Sequence, residues 1–224
     1  MSALLPDAPP PYASVVFDCD STLSTIEGID ELAGEHREEL RRITDRAMAG
    51  EVPLEEVFGL RLECVRPTVE AVEHIGRRYV ETLVPGAAEL IADLWEGGTR
   101  VLILSGGLLP AVRHVGRHLG LDDADIHAVD LTFDANGDYV DFDRASPLAR
   151  SGGKPALLRS LGIARPAALI GDGATDLECL LEHAVDRFVA FGGVCRRESV
   201  FARAMHHVTE PSLSPAAEFL LDPT

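Results

Sequence analysis

The chain has 224 residues, with 37 Asp and Glu against 20 Lys and Arg, a formal net charge of -17 and four cysteines. That length fits one large domain, or a core domain with a small partner. The acidic balance argues against nucleic acid or an anionic membrane surface, which attract proteins through clustered Lys and Arg. No apolar run approaches the ~20 residues of a membrane helix, and Cys19, Cys64, Cys179 and Cys195 are too far apart for a CxxC zinc or redox motif, so a reduced, cytoplasmic protein is expected.

Residues 1–11 hold four prolines and no basic residue, which reads as a flexible arm without the charged and apolar regions of a secretory signal. The short apolar run Ala13–Phe17 then stops at carboxylates and reads as a buried strand. From about Thr25 to Leu83 the pattern turns helical and charged. Leu32, Leu40, Ile43 and Ala47 form one stripe and Val69, Val72, Ile75 and Tyr79 another, with breaks near Gly50, Pro53 and Pro67. Such an insertion after the first strand would lie over the carboxyl ends of the sheet as a cap.

Pro85-Gly86 opens a helix with Leu90, Ile91 and Leu94 on one face, closed by Gly97-Gly98. A second strand, Val101–Leu104, runs into Ser105-Gly106-Gly107, after which Leu108, Val112, Val115 and Leu119 share a helical face. Between about Ala128 and Phe142 the residues alternate around Asn136-Gly137, a hairpin signal. A third strand, Ala167–Ile170, ends in Gly171-Asp172-Gly173 and leads into a helix after Asp176. Strands alternating with helices of this length indicate an α/β fold with a parallel sheet.

In an open α/β sheet, ligands bind at the carboxyl ends of the strands. Asp18, Asp20, Ser105, Asp172 and Asp176 all fall there. Four carboxylates gathered in one crevice repel one another and call for a cation, and oxygen ligands suit a hard divalent ion such as Mg2+. Asp18, at the end of the strand, is the candidate nucleophile toward phosphorus. Asp20, on the following turn, is the candidate general acid and base. The helix after Ser105-Gly106-Gly107 is expected to turn backbone N–H groups toward a phosphate. Lys154 is the only lysine in the chain and follows Ser151-Gly152-Gly153 at a helix start. A compact ammonium there would hold phosphate and shield Asp18 from it. Gly106-Gly107 matches neither a GxGxxG turn nor a GxxxxGK[ST] loop, so a nucleotide-binding reading fails.

These motifs together resemble the haloacid-dehalogenase-like superfamily: Phe17-Asp18-Cys19-Asp20-Ser21-Thr22, Ser105-Gly106-Gly107, Lys154, and Gly171 through Asp176. Within it the chain is similar to the phosphoserine phosphatase family, through Glu27–Ala33, Met48-Ala49-Gly50 with Arg61, Ser151–Lys154 and Phe191-Gly192-Gly193. The resemblance implies a Rossmann-like three-layer core over residues 12–24 and 84–224, a helical cap over 25–83 and a short β-hairpin insertion. It implies hydrolysis of O-phospho-L-serine through an aspartyl phosphate on Asp18, with Asp20 protonating the serine oxygen. Mg2+ would be held by Asp18, the backbone carbonyl of Asp20 and Asp172, with Asp176 in support. Ser105, Gly106 and Lys154 would hold the phosphoryl oxygens, with Gly107 close to the substrate. Glu27 would meet the substrate ammonium, Arg61 its carboxylate, and Met48 the bound chain. Two positions depart from the pattern: Leu54 stands where the family often has phenylalanine, and Val194 where it usually has asparagine. They leave open a related phosphatase or phosphotransferase acting on another small phosphomonoester, such as phosphothreonine, a sugar phosphate or a methionine-salvage intermediate. The partner is thus a small molecule, and the assembly a monomer or homodimer.

Overall fold

The first strand, β1 (Ser14–Phe17), is buried along its whole length. Successive side chains of a strand point to opposite faces, so burial of all four means that the sheet is covered on both sides. The structure is a computed structural model that describes residues 6–48 and 54–221, with the side chains of 35, 44–48 and 54–55 outside that description. The later strands are β2 (Arg100–Leu108), β3 (Ile126–Val129), β4 (Leu131–Phe133), β5 (Tyr139–Phe142), β6 (Ala167–Gly171), β7 (Arg187–Phe191) and β8 (His206–Val208). Six of them form one sheet in the order β3-β2-β1-β6-β7-β8, while β4 and β5 make a separate ribbon. Every pairing in the large sheet is parallel.

Parallel neighbours need crossovers, and helices supply them. In chain order these are α1 (Gly28–Leu32), α2 (Arg37–Met48), α3 (Leu54–Val65), α4 (Val69–Glu81), α5 (Ala87–Glu96), α6 (Leu109–His118), α7 (Gly153–Leu161), α8 (Ala174–Leu181) and the short α9 (Glu198–Phe201). The first four form the inserted helical layer between β1 and β2. Phe17, Leu102, Ile103, Phe188 and Phe191 are among the largest fully buried side chains. Each contributes about 1.5–3 kcal/mol relative to staying exposed. After β1 the chain builds outward through β2 to β3, then returns to the other flank of β1 with β6. That reversal opens a crevice at the carboxyl ends of β1 and β6. No helix among the described residues is long and apolar enough to cross a membrane.

The fold agrees with the α/β expectation, with differences of detail. The strand expected to end at Leu104 continues to Leu108, through the two glycines, with irregular pairing to β3 between Leu104 and Leu108. Ala128 and Val129, read as part of the hairpin, instead belong to the edge strand β3 of the main sheet. The hairpin itself is β4–β5, turning at Gly137 with φ +87°. Val72, Ile75 and Tyr79 are buried as the α4 stripe requires, but Val69 is exposed. It starts the helix, where its N–H donates to the Gly137 carbonyl. Gly50 and Pro53 lie outside the described residues. The arm differs too, since its described part is tied down. Asp7 pairs with Arg187 and His206, each at 2.8 Å, and the Tyr12 hydroxyl donates to the Ala8 carbonyl.

Candidate active site

Asp18 follows the last residue of β1, and its N–H donates to the Ile170 carbonyl of β6 at 3.0 Å. This backbone tie fixes the carboxylate at the crevice. Its Oδ1 accepts from the Cys19 N–H and lies 2.8 Å from Lys154 Nζ. The Cys19 side chain is fully buried, which fits a packing role. Lys154 is the second residue of α7, whose start is set by Gly152 in the left-handed region. Its ammonium is 5% exposed and also donates to Asp176 Oδ1 at 2.6 Å. Burial opposes the lysine charge, but Asp176 and Asp18 outweigh it and hold Lys154 above the usual lysine range. Removing the ammonium would leave two carboxylates uncompensated, a loss of about 3–5 kcal/mol for buried pairs.

Asp172 stands just beyond β6, beside this pair. Carboxylate oxygens of Asp18, Asp172 and Asp176 lie within 4.8 Å of one another, and all three residues are buried. Burial and the charge of Asp18 push Asp172 up to about 6 and Asp176 up to about 8. A cluster strained by its own negative charge is relieved by a divalent cation, and an all-oxygen donor set fits Mg2+. Asp176 also accepts the Gly173 N–H through Oδ2 at 2.9 Å, so both of its oxygens are engaged by the protein.

Asp20 turns its side chain away from that cluster. Oδ1 accepts the Gly28 N–H at 2.8 Å and the Tyr79 hydroxyl, and Oδ2 accepts the Ser105 hydroxyl at 3.1 Å. Burial raises its pKa, with Asp18 adding to the effect, against the hydrogen bonds that favour the anion. The Ser105-Gly106-Gly107 expectation needs correction. These residues are still strand, α6 starts only at Leu109, and the Gly107 N–H donates to Ser105 Oγ at 2.9 Å. The glycine is needed for space instead: a Cβ on Gly107 would sit 2.7 Å from Asp20 Oδ2.

The helical insertion closes the site. A cleft of about 310 Å3 is lined by Asp18, Asp20, Gly106, Gly107, Lys154 and Asp172 from the sheet side, and by Glu27, Phe58 and Arg61 from the insertion. Glu27 accepts the Ser21 hydroxyl at 2.8 Å, and burial, then Asp20, pushes it up to about 7. Arg61 pairs with Asp30, while its Nε is buried with no hydrogen-bond partner among the described residues. Met48 ends α2, but its side chain, like that of Leu54, lies outside the described residues. Two further residues join the site that sequence reasoning did not assign to it. Tyr79, counted there as apolar stripe, brings its hydroxyl to Asp20. Arg197 donates through Nε to Asp172 Oδ2 at 2.8 Å and reaches Glu27 at 3.4 Å. The signal for it was a pair of arginines just past Phe191-Gly192-Gly193. Val194, the departure from the family pattern, packs partly buried against the core.

Residues 15–181 match the family described as haloacid dehalogenase-like hydrolase. The chain is 36% identical over 202 residues to the phosphoserine phosphatase of Mus musculus, covering 88% of this chain and 89% of that protein. Among solved structures, a substrate-bound phosphoserine phosphatase complex is similar with a TM-score of 0.76 and 26% identity, over 94% of this chain and 99% of that one. A phosphoserine phosphohydrolase-like protein from Francisella tularensis shares the fold at a TM-score of 0.82 and 23% identity, over 93% and 99%.

Proposed function

The chain belongs to the haloacid dehalogenase-like hydrolase family, and from that premise we propose that it hydrolyses O-phospho-L-serine to L-serine and inorganic phosphate. The observation that carries the reading is the buried Asp18–Lys154–Asp176 chain beside Asp172, with Asp20 held apart from it. One carboxylate is held at the cleft by Lys154 and the Cys19 N–H, and another is biased toward its acid form.

In this reading Asp18 attacks phosphorus, the bond to the serine oxygen breaks, and Asp20 delivers its proton to that oxygen. Asp20 then takes a proton from water as the water attacks the acyl phosphate, and Asp18 is released with phosphate. Lys154, Ser105 and Gly106 hold the phosphoryl oxygens, with Gly107 close to the substrate. Mg2+, held by Asp18, Asp172 and the Asp20 carbonyl with Asp176 in support, supplies neutralisation of the phosphoryl charge when bound. Residues 25–83 serve as the cap over a core of 12–24 and 84–224. Glu27 takes the substrate ammonium, Arg61 takes the carboxylate, and Met48 borders the bound chain. Arg197 holds Asp172 and Glu27 in position. The reading also places the protein in the cytoplasm, in keeping with four free cysteines, as a monomer or homodimer without nucleic-acid partners.

A phosphate-release screen over small phosphate esters with Mg2+ tests this. Phosphoserine should rank first, and Asp18→Asn should lower its turnover by about 10^4-fold or more. Efficient release from a sugar phosphate, with none from phosphoserine, would reject the substrate and keep the chemistry.

A further inference from the structure

The β4–β5 hairpin touches the inserted helices from the sheet side, and none of the chemistry above uses it. Its base is closed by the Asp143 N–H donating to Asp130 at 2.9 Å, one residue past β3, so it springs directly from the main sheet. Its side chains grip α3. The Phe142 ring meets the Phe58 ring edge-on, centroids 5.0 Å apart at 67°. Gly59 admits that contact, since a Cβ there would lie 3.2 Å from the same ring. At the end of α3, Arg66 donates to the Tyr139 carbonyl at 2.9 Å and stands 5.4 Å over the Tyr139 ring. It does so with φ +40°, an uncommon conformation for a side chain of this size. The Val69 N–H completes the contact with the Gly137 carbonyl.

Phe58 and Arg61 line the active-site cleft, whereas Phe142 and Tyr139 do not. Both hairpin residues are buried, and the chain leaves β5 directly for Leu148–Ser151 and Lys154, which line the cleft's other wall. The hairpin therefore joins the helix that bears Arg61 to the segment that bears Lys154.

We propose that Phe142 and Tyr139 are positioning residues for substrate selection, holding α3 through Phe58 and Arg66 so that Arg61 faces the phosphate site. The inference rests on the amino-acid phosphatase reading above and adds to it the element that sets the distance between the two charge-recognition groups. Phosphate chemistry itself depends on the sheet edge and should be indifferent to the hairpin.

The test compares phosphoserine with p-nitrophenyl phosphate, a phosphomonoester lacking ammonium and carboxylate, in the wild type, Phe142→Ala and Phe142→Tyr. An aromatic contact of this kind corresponds to about a three- to tenfold effect. Phe142→Ala should lower kcat/KM for phosphoserine by that factor, through KM, and leave p-nitrophenyl phosphate within about twofold. Phe142→Tyr should restore most of the loss. Hydrogen exchange on the same proteins should show faster exchange in α3 of Phe142→Ala, with α7 unchanged. Equal losses on both substrates, or unchanged exchange in α3, would overturn the proposal. A wild type that ignores phosphoserine but cleaves another ester would instead reject the substrate reading, and the exchange data would still judge the hairpin.

Discussion

The sheet edge and the helical insertion hold their charged side chains in opposite ways. At the edge, Lys154 and Asp176 are almost sealed from solvent and tied to each other and to Asp18 by short contacts. In the insertion, Arg61 pairs with a largely exposed Asp30, and Glu27 leans on an Arg197 that is 44% exposed. Fully buried pairs hold one geometry because breaking them strands both charges, while pairs with one partner open to solvent exchange it at lower cost. On the proposed function, the chemistry is thus built into a rigid network, and substrate choice into groups that can let go of their present partners.

Four measurements would break or sharpen that contrast. The largest effect is expected from Lys154→Arg. A planar fork does not replace an ammonium wedged between two carboxylates, so kcat should fall about 100-fold for every phosphomonoester. A loss confined to phosphoserine would undo the division of labour. Arg61→Ala should raise KM for phosphoserine about tenfold with kcat nearly kept, and leave p-nitrophenyl phosphate unaffected. An unchanged KM would remove Arg61 from carboxylate recognition.

The smallest effect is one of pH. Burial and Asp20 push Glu27 up to about 7, so lowering the pH from 7.5 to 6 protonates it and removes the anion to which the proposed function assigns the substrate ammonium. The kcat/KM ratio of phosphoserine to p-nitrophenyl phosphate should fall about five- to tenfold over that interval. Linkage fixes the sign for stability. With its folded pKa raised, neutral Glu27 favours the folded state at acid pH, and that advantage is lost as the pH rises through about 7. Glu27→Gln should therefore melt higher than the wild type at pH 8, and a lower melting point there would contradict the buried-anion account.

The groups at the strand ends were readable from residue order alone, because Asp18, Asp172 and Lys154 owe their places to local punctuation: an apolar run that stops, or glycines before a helix. The extent of β2 was not, since Gly106-Gly107 reads as a turn until the packing of Asp20 against that backbone is known. Nor was Arg197, which meets Glu27 across 170 positions of sequence. Tyr79 shows a different difficulty. Its spacing on α4 was right for a buried stripe, yet its hydroxyl serves a carboxylate 59 positions away. Periodicity reports which face is buried and says nothing of where a polar tip ends.

The lone lysine has a practical side. All the other basic side chains among the 20 are arginines, so the protein offers amine-directed reagents no lysine on its outer surface. The one side-chain amine lies at the bottom of the cleft, 5% exposed. Because that ammonium stays charged between two carboxylates, succinimidyl esters and similar labels, which ordinarily scatter over a protein's exterior, are left with the chain's α-amino group as their target.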